Sequence, residues 1–161
     1  MSTPVPYKPA GFHSVTPYLA IRGAAEAIAF YIKAFGAKER FRLPGPDGKS
    51  VGHAEIVIGD SIIMLSDEAP RHGAVSPQTL GGSPVNFAIY VEDVDHAFEQ
   101  AVAAGASIEQ PVTDKFYGDR AGCLRDPFGH RWTLMTHNEE VPMEEIDRRL
   151  AKLYAEMGSQ A

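Results

Sequence analysis

His53 and Glu55 are the two side chains whose types and spacing speak most directly of chemistry. Two positions apart on an extended strand, they project to the same face, because strand side chains alternate. An imidazole beside a carboxylate can serve as a base with its orienting partner, or as a proton donor and acceptor toward a bound ligand. Two such groups do not complete a metal site. The plainer alternative is a pair of cross-strand contacts, His53 opposite Ser66 and Glu55 opposite Met64. Tyr18 and Tyr90 suit the aromatic walls of a site for a stacking ligand. Arg120, Arg125 and Arg131 surround a hairpin and could grip an anion by bidentate contacts, while Arg125 beside Asp126 equally suits a local ion pair. His130 and His137 flank a strand, where solvated side chains are expected. Cys123 is the sole cysteine. It reads as a small buried strand residue, permits no internal disulfide and fits a reducing cytoplasm.

The elements that must position these groups come in two copies. Thr16 to Ile21 and Asn86 to Val91, seventy positions apart, both read as short alternating strands. Each is followed by a helical stretch, Gly23 to Ala37 and Asp93 to Ala106, with apolar residues near helical spacing and a terminal glycine, Gly36 or Gly105. Each copy closes on a turn and a last strand, Gly59 to Leu65 and Gly129 to Met135. Two further strands fit between, Lys38 to Leu43 and Val51 to Ile58 in the first copy, Ser107 to Val112 and Ala121 to Arg125 in the second. PGPDGKS, from Pro44 to Ser50, and DPFG, from Asp126 to Gly129, are the turn signals. The fold class is therefore α+β: two tandem βαβββ modules forming a curved mixed sheet around a cavity, plus a C-terminal helix. The expected divisions are an N-terminal extension at 1–13, modules at 14–68 and 85–138, a linker at 69–84, and a helix and tail at 139–161. A linker of that length is either mobile or folded over something.

Strand parity separates two faces. A two-residue turn at Gly59 and Asp60 pairs Ile58 with Ser61. One face then carries Ala54, Ile56, Ile58, Ile63 and Leu65, as expected beneath a helix. The other carries His53, Glu55, Val57, Ile62, Met64 and Ser66. The first strands split likewise, with Thr16, Tyr18 and Ala20, or Asn86, Ala88 and Tyr90, on the mixed side. Apolar bulk with a few directed polar groups describes a cavity wall better than a solvated surface. Trp132 falls on the helix-packed side.

A net charge of −6 without a Lys/Arg run removes the footprint of a nucleic-acid binder. No apolar run is long enough to span a membrane, and the first residues lack the pattern of a secretory leader. From Pro142 onward, Met143, Ile146, Leu150, Leu153 and Met157 recur at steps of three and four. That stripe calls for cover by the chain's own body or by a second subunit.

In combination, the tandem units, Ala27 to Tyr31 followed by Phe35 to Ala37, Val91 to Asp95 leading to Ala103 to Ala106, and Arg125 to His130 resemble the vicinal oxygen chelate superfamily. That group contains glyoxalase I, extradiol dioxygenases and bleomycin-resistance proteins. The resemblance spans about residues 14 to 138. The stretches His53 to Ile56, Gly59 to Glu68 and Leu124 to Trp132 are similar to its PhnB-like branch, whose members typically form homodimers with cavities built from both units. Metalloenzymes of the superfamily carry His, Gln or Glu ligands at the start of each first strand and on each last strand. The corresponding positions here are Thr16, Met64, Asn86 and Thr133, which lack the strong donors a divalent ion needs.

The resemblance implies a binder of a small organic molecule in a cytoplasmic homodimer, with no cofactor and no usual metal site. Its contacts would come from Thr16, Tyr18, Met64, Ser66, Asn86, Tyr90, Arg131 and Thr133. Two alternatives stand beside it. One is a lyase, isomerase or dioxygenase using His53 and Glu55 or a relocated divalent metal ion. The other is a dimeric scaffold with a vestigial pocket.

Overall fold

The computed structural model describes residues 5–158, so 1–4 of the expected extension and 159–161 of the tail lie outside the described residues. The first unit consists of β1 (Tyr18–Ile21), α1 (Ala24–Phe35), β2 (Lys38–Pro44), β3 (Val51–Ile58) and β4 (Ser61–Asp67). A connection carrying a 3-10 turn (Pro70–His72) and the short helix α2 (Pro77–Leu80) follows. The second unit repeats the first with β5 (Asn86–Tyr90), α3 (Val94–Ala104), β6 (Ser107–Asp114), β7 (Asp119–Arg125) and β8 (Arg131–His137), before α4 (Met143–Gly158). Each unit forms its own four-stranded mixed sheet, in the orders β1-β4-β3-β2 and β5-β8-β7-β6. The outer pairs β1/β4 and β5/β8 are parallel and the remaining pairs antiparallel. The α+β duplication read from the sequence is thus present as two curved sheets. No helix among the described residues is long and apolar enough to cross a membrane.

Several element ends differ from expectation for local reasons. β1 begins two residues later than Thr16, because Pro17 has no N–H to donate; its carbonyl still accepts from the Met64 N–H at 2.9 Å. β6 and β7 run longer than expected, since their hairpin closes only at Lys115, whose N–H donates to the Asp119 carbonyl at 2.7 Å.

The turn at Gly59 pairs Ile58 with Ser61, and the aliphatic face of Ala54, Ile56, Ile58, Ile63 and Leu65 is buried. One apolar cluster takes in that face, α1, α3, and Leu124, Trp132 and Leu134 from the second sheet. Burial of each large aliphatic side chain in it stabilises the fold by about 1.5–3 kcal/mol. Gly122 lets α3 close on its sheet, because a Cβ there would sit 2.6 Å from the Phe98 ring.

Each unit ties its helix start to its last strand. Asp67 Oδ1 at the end of β4 accepts from the N–H groups of Gly23 and Ala24, at 3.1 and 2.9 Å, and its Oδ2 accepts from Val51 N–H at 2.7 Å. In the second unit, Thr136 Oγ1 accepts from Val94 N–H and donates to the Val91 carbonyl, both at 2.9 Å. These groups satisfy donors that the first turn of a helix leaves free.

The units are joined through Asp126, in the turn between β7 and β8. Its carboxylate is buried and accepts from the Tyr31 hydroxyl and Trp132 Nε1, each at 2.8 Å, and from the N–H groups of Phe128 and His130, each at 2.9 Å. The local Arg125–Asp126 ion pair considered from the sequence does not form; Arg125 turns to Glu109 and to the Gly129 carbonyl. Burial, and then the Asp126 carboxylate, push the Tyr31 phenol well above its ordinary pKa.

Removing the Asp126 carboxylate strands four donors, one of them on α1. Asp126→Ala is expected to destabilise the chain by about 3–5 kcal/mol, and Tyr31→Phe by about 1–2 kcal/mol. Urea unfolding midpoints check both values, and equal small losses would contradict the assignment.

Candidate functional site

On the first unit's mixed face, β3 presents His53 and Glu55 side by side, as their spacing requires. Their partners are not the cross-strand residues Ser66 and Met64. The Tyr18 hydroxyl and His53 Nδ1 lie 2.9 Å apart, reaching over β4, and the two rings are 5.5 Å apart. His53 Nε2 is 3.7 Å from Glu55 Oε1, and Arg40 Nη1 donates to Glu55 Oε2 at 2.7 Å. A line of polar groups therefore runs Tyr18, His53, Glu55, Arg40. Arg40 sits where the β2/β3 register shifts between Glu39 and Phe41, so the regular alternation of β2 breaks there. Glu55 faces Met64 in the register, Tyr18 faces Met64 from the other side, and Ser66 is buried beside Ala20.

The wall around this line is apolar and open. Tyr18, Phe41 and Leu43 are 53%, 42% and 54% exposed, and the Phe41 ring lies 5.8 Å from His53. The preceding segment crosses the same face: Phe12 lies beneath the Arg40 guanidinium, 5.4 Å from its centre.

The second unit's mixed face holds three groups. Asn86 Nδ2 donates to Thr133 Oγ1 at 2.8 Å, beside a hollow of about 290 Å³ also walled by Gln110, Tyr117 and Met135. At one end, buried Asp119 accepts from the Tyr90 hydroxyl at 3.0 Å and pairs with His137 Nδ1 at 2.7 Å. The hydrogen bond to Asp119, reinforced by Glu140, raises the His137 pKa; the bond to Asp119, then burial, raises that of Tyr90. At the other end, Arg131 Nε donates to Glu109 at 2.6 Å, and Arg125 pairs with the same carboxylate. Burial pushes the Glu109 carboxyl up, but the two guanidinium groups outweigh it and hold it below its ordinary range. Arg131 therefore already has a carboxylate partner where an anionic ligand was expected. Arg120 is likewise paired, with Asp95 and Asp114.

Two histidines depart from the solvated roles expected of them. His130 is buried under the connecting segment, and His137 is half-exposed but bound to Asp119. Arg40, Glu109 and Asp119 were not singled out in the sequence. Arg40 depends on a bulge and Glu109 on the long β6/β7 register, neither of which leaves a local composition signal.

The four positions that hold a divalent ion in the resembled metalloenzymes do not suit one here. Thr16 Oγ1 donates to the His13 carbonyl at 3.2 Å, Met64 offers a thioether, and Asn86 and Thr133 are bonded to each other. Hydroxyl, thioether and amide are weak donors for a hard dication. Among the described residues no three His, Cys, Asp or Glu side chains gather elsewhere as a ligand set. Nor does any hydrogen bond or ring contact among the described residues join the Tyr18/His53/Glu55 group to the Asn86/Thr133 group. On one chain the two groups are separate.

Residues 11–134 match the Glyoxalase/Bleomycin resistance protein/Dioxygenase superfamily, and the chain belongs to it. An uncharacterized protein of Mycobacterium bovis is 42% identical over 141 residues, covering 86% of this chain and 92% of that one. Among solved structures, TioX from Micromonospora sp. ML1 is similar with a TM-score of 0.63 and 28% identity, covering 76% of this chain and 97% of its own. A PhnB protein from Bacillus cereus shares the fold, with a TM-score of 0.59 and 19% identity over 77% of this chain and 99% of its own.

The Asp119–His137 pair makes a pH prediction. Because the folded His137 pKa is raised, its stabilising contribution is complete below the unfolded value of about 6.5 and is lost as pH rises through the folded value. An NMR titration of His137 should show its midpoint fall toward about 6.5 in Asp119→Asn. An unchanged midpoint would remove Asp119 as the cause.

Proposed function

We propose, from this membership, that the chain binds a small and largely apolar organic molecule on its mixed faces, without the metal ion used by enzymes of the superfamily. The observation that carries the reading is the open wall of Tyr18, Phe41 and Leu43 around two hydrogen-bonded pairs, Tyr18 with His53 and Glu55 with Arg40. Apolar area supplies affinity, and the few directed polar groups fix orientation. Charge is balanced on the first face, Glu55 by Arg40, which favours an uncharged ligand there; on the second face Glu109 meets both Arg125 and Arg131.

Each half-site is completed, in this reading, by the other unit of a second copy. The C-terminal helix supports association: no residue of α4 is buried, and its expected stripe leaves Met143 and Met157 68% and 61% exposed. Ile146 and Leu150 of the same stripe are half-buried, so the chain's own body covers only part of it. Ligand contacts then come from Thr16, Tyr18, Met64 and Ser66 of one copy and Asn86, Tyr90 and Thr133 of the other. The solitary, buried Cys123 suits a reducing cytoplasm.

A second reading has its own support. The Tyr18 hydroxyl is within hydrogen-bond distance of His53, and Glu55 lies 3.7 Å from the other ring nitrogen, so His53 can act as a general base with a carboxylate nearby to favour its charged form. The open hollow beside Asn86 and Thr133 speaks against a vestigial scaffold.

Thermal denaturation against a panel of uncharged organic molecules tests the first reading. A ligand at a hundred times its Kd should stabilise by about 2.7 kcal/mol, unchanged by EDTA and strongly reduced in Tyr18→Ala and Asn86→Ala. A stoichiometric metal whose removal cancels the shift would overturn it. Turnover abolished by His53→Ala, with the thermal shift retained, would move the assignment to the second reading.

A further inference from the structure

The connection between the units is folded over a hollow that meets the first mixed face only along β1, at Tyr18 and Ala20. Glu68 anchors its start, accepting from Ser76 N–H at 3.1 Å and from the Thr79 hydroxyl at 2.7 Å while pairing with Arg22 at 3.0 Å. Ser76, fully buried, caps α2. The other side of the connection rests on the β7–β8 turn: Gln78 Nε2 donates to the Pro127 carbonyl at 3.4 Å, and a Cβ at Gly129 would sit 2.8 Å from Pro77 Cβ. Gly129 has φ 91°, so two features of this turn exclude a side chain exactly where the connection lands.

Beneath the connection lies an open hollow of about 440 Å³ lined by Leu19, Pro77, Leu80, Val85, Phe87 and His130, among others, a size ordinary for a small-molecule site. No Asp, Glu, Lys or Arg lines it. A charged ligand would lose its hydration there without a counter-charge. His130 is 6% exposed, and its Nε2 is the one buried side-chain polar atom without a hydrogen-bond partner among the described residues. Burial holds its pKa below the ordinary value, against the opposing pull of Asp126 and the Ala20 carbonyl, so the imidazole is kept in its neutral form. The Phe87 ring stands edge-on to it, 6.1 Å away.

We propose that this hollow is a second binding site, for a neutral aromatic alcohol of the phenol class, whose hydroxyl bonds His130 Nε2 and whose ring lies against Phe87 beneath the connection. The imidazole borders the hollow while Nε2 is sealed from water, so the bond forms on a rotation about the broad Cβ–Cγ to ring torsion. The aromatic ring replaces water against an apolar lining, and the hydroxyl supplies the partner that the nitrogen lacks. His53, Glu55, Asn86 and Thr133 take no part in this lining, whereas Tyr18 and Ala20 do, so the hollow adjoins the first mixed face along β1 and is told apart from the site proposed there by those four residues.

Calorimetric titration of the full chain with phenol and with toluene, its counterpart without a hydroxyl, tests the proposal. Phenol is expected to bind at least about fivefold more tightly than toluene. His130→Phe keeps a ring in place and should abolish that preference. Leu80→Trp, at a position 66% exposed on the rim, should fold normally and weaken both probes about tenfold by filling the hollow. Glu55→Gln should leave phenol affinity unchanged, which separates this site from the mixed faces. Equal binding of phenol and toluene to the unaltered chain, phenol binding insensitive to Leu80→Trp, or no phenol binding would each overturn the proposal.

Discussion

A single buried carboxylate decides how the two halves of this molecule meet. Asp126 collects donors from α1, from β8 and from the backbone of its own turn. An isolated buried charge is costly, and these four hydrogen bonds are what make the position tenable. Because Tyr31 is one of the donors, the first unit's helix is registered against the second unit's sheet, with the Tyr31, Phe35 and Trp132 rings in mutual contact. The helix-facing sides of both sheets then share one core, and the mixed sides remain open. The same turn supplies Gly129 as the seat for the connecting segment and His130 as a wall of the hollow beneath it.

Away from that turn, each unit solves the same problem with different side chains. Asp67 and Thr136 both tie a helix start to a last strand, one as a carboxylate and the other as a hydroxyl. The mixed faces have diverged further. Unit one pairs a tyrosine and an imidazole with a carboxylate neutralised by Arg40; unit two separates its tyrosine, imidazole and aspartate from the Asn86–Thr133 pair. Duplication preserved the frame, and the chemistry on its two faces became unequal. Two unequal groups on one chain are what the proposed cavity, drawing one face from each of two copies, requires.

The frame was legible because it rests on periodicity. Alternation in Val51 to Ile58, the turn at Gly59 and the helix-ending glycines are local signals, and the buried aliphatic face followed from them. The proximity of His53 and Glu55 was legible for the same reason. What escaped depends on contacts distant in sequence: Tyr31 with Asp126 lies 95 residues apart, and Tyr18 with His53 lies 35 apart. Arg40 escaped because a bulge interrupts the alternation on which parity reasoning depends. The burial of His130 escaped because a turn residue looks solvated until the connection is seen to fold over it. The length and the glycine and proline content of that connection left open whether it was mobile or folded over something; it is folded, and its order comes from Glu68, Ser76 and Thr79, whose partners lie on the strand end and the short helix.

The most direct measurement of the account is sedimentation equilibrium of the full chain at the concentrations where it binds a small molecule. A species of twice the chain mass is predicted, because the proposed site draws one mixed face from each of two copies. A monomer that binds its ligand fully would contradict the division of the site between two copies.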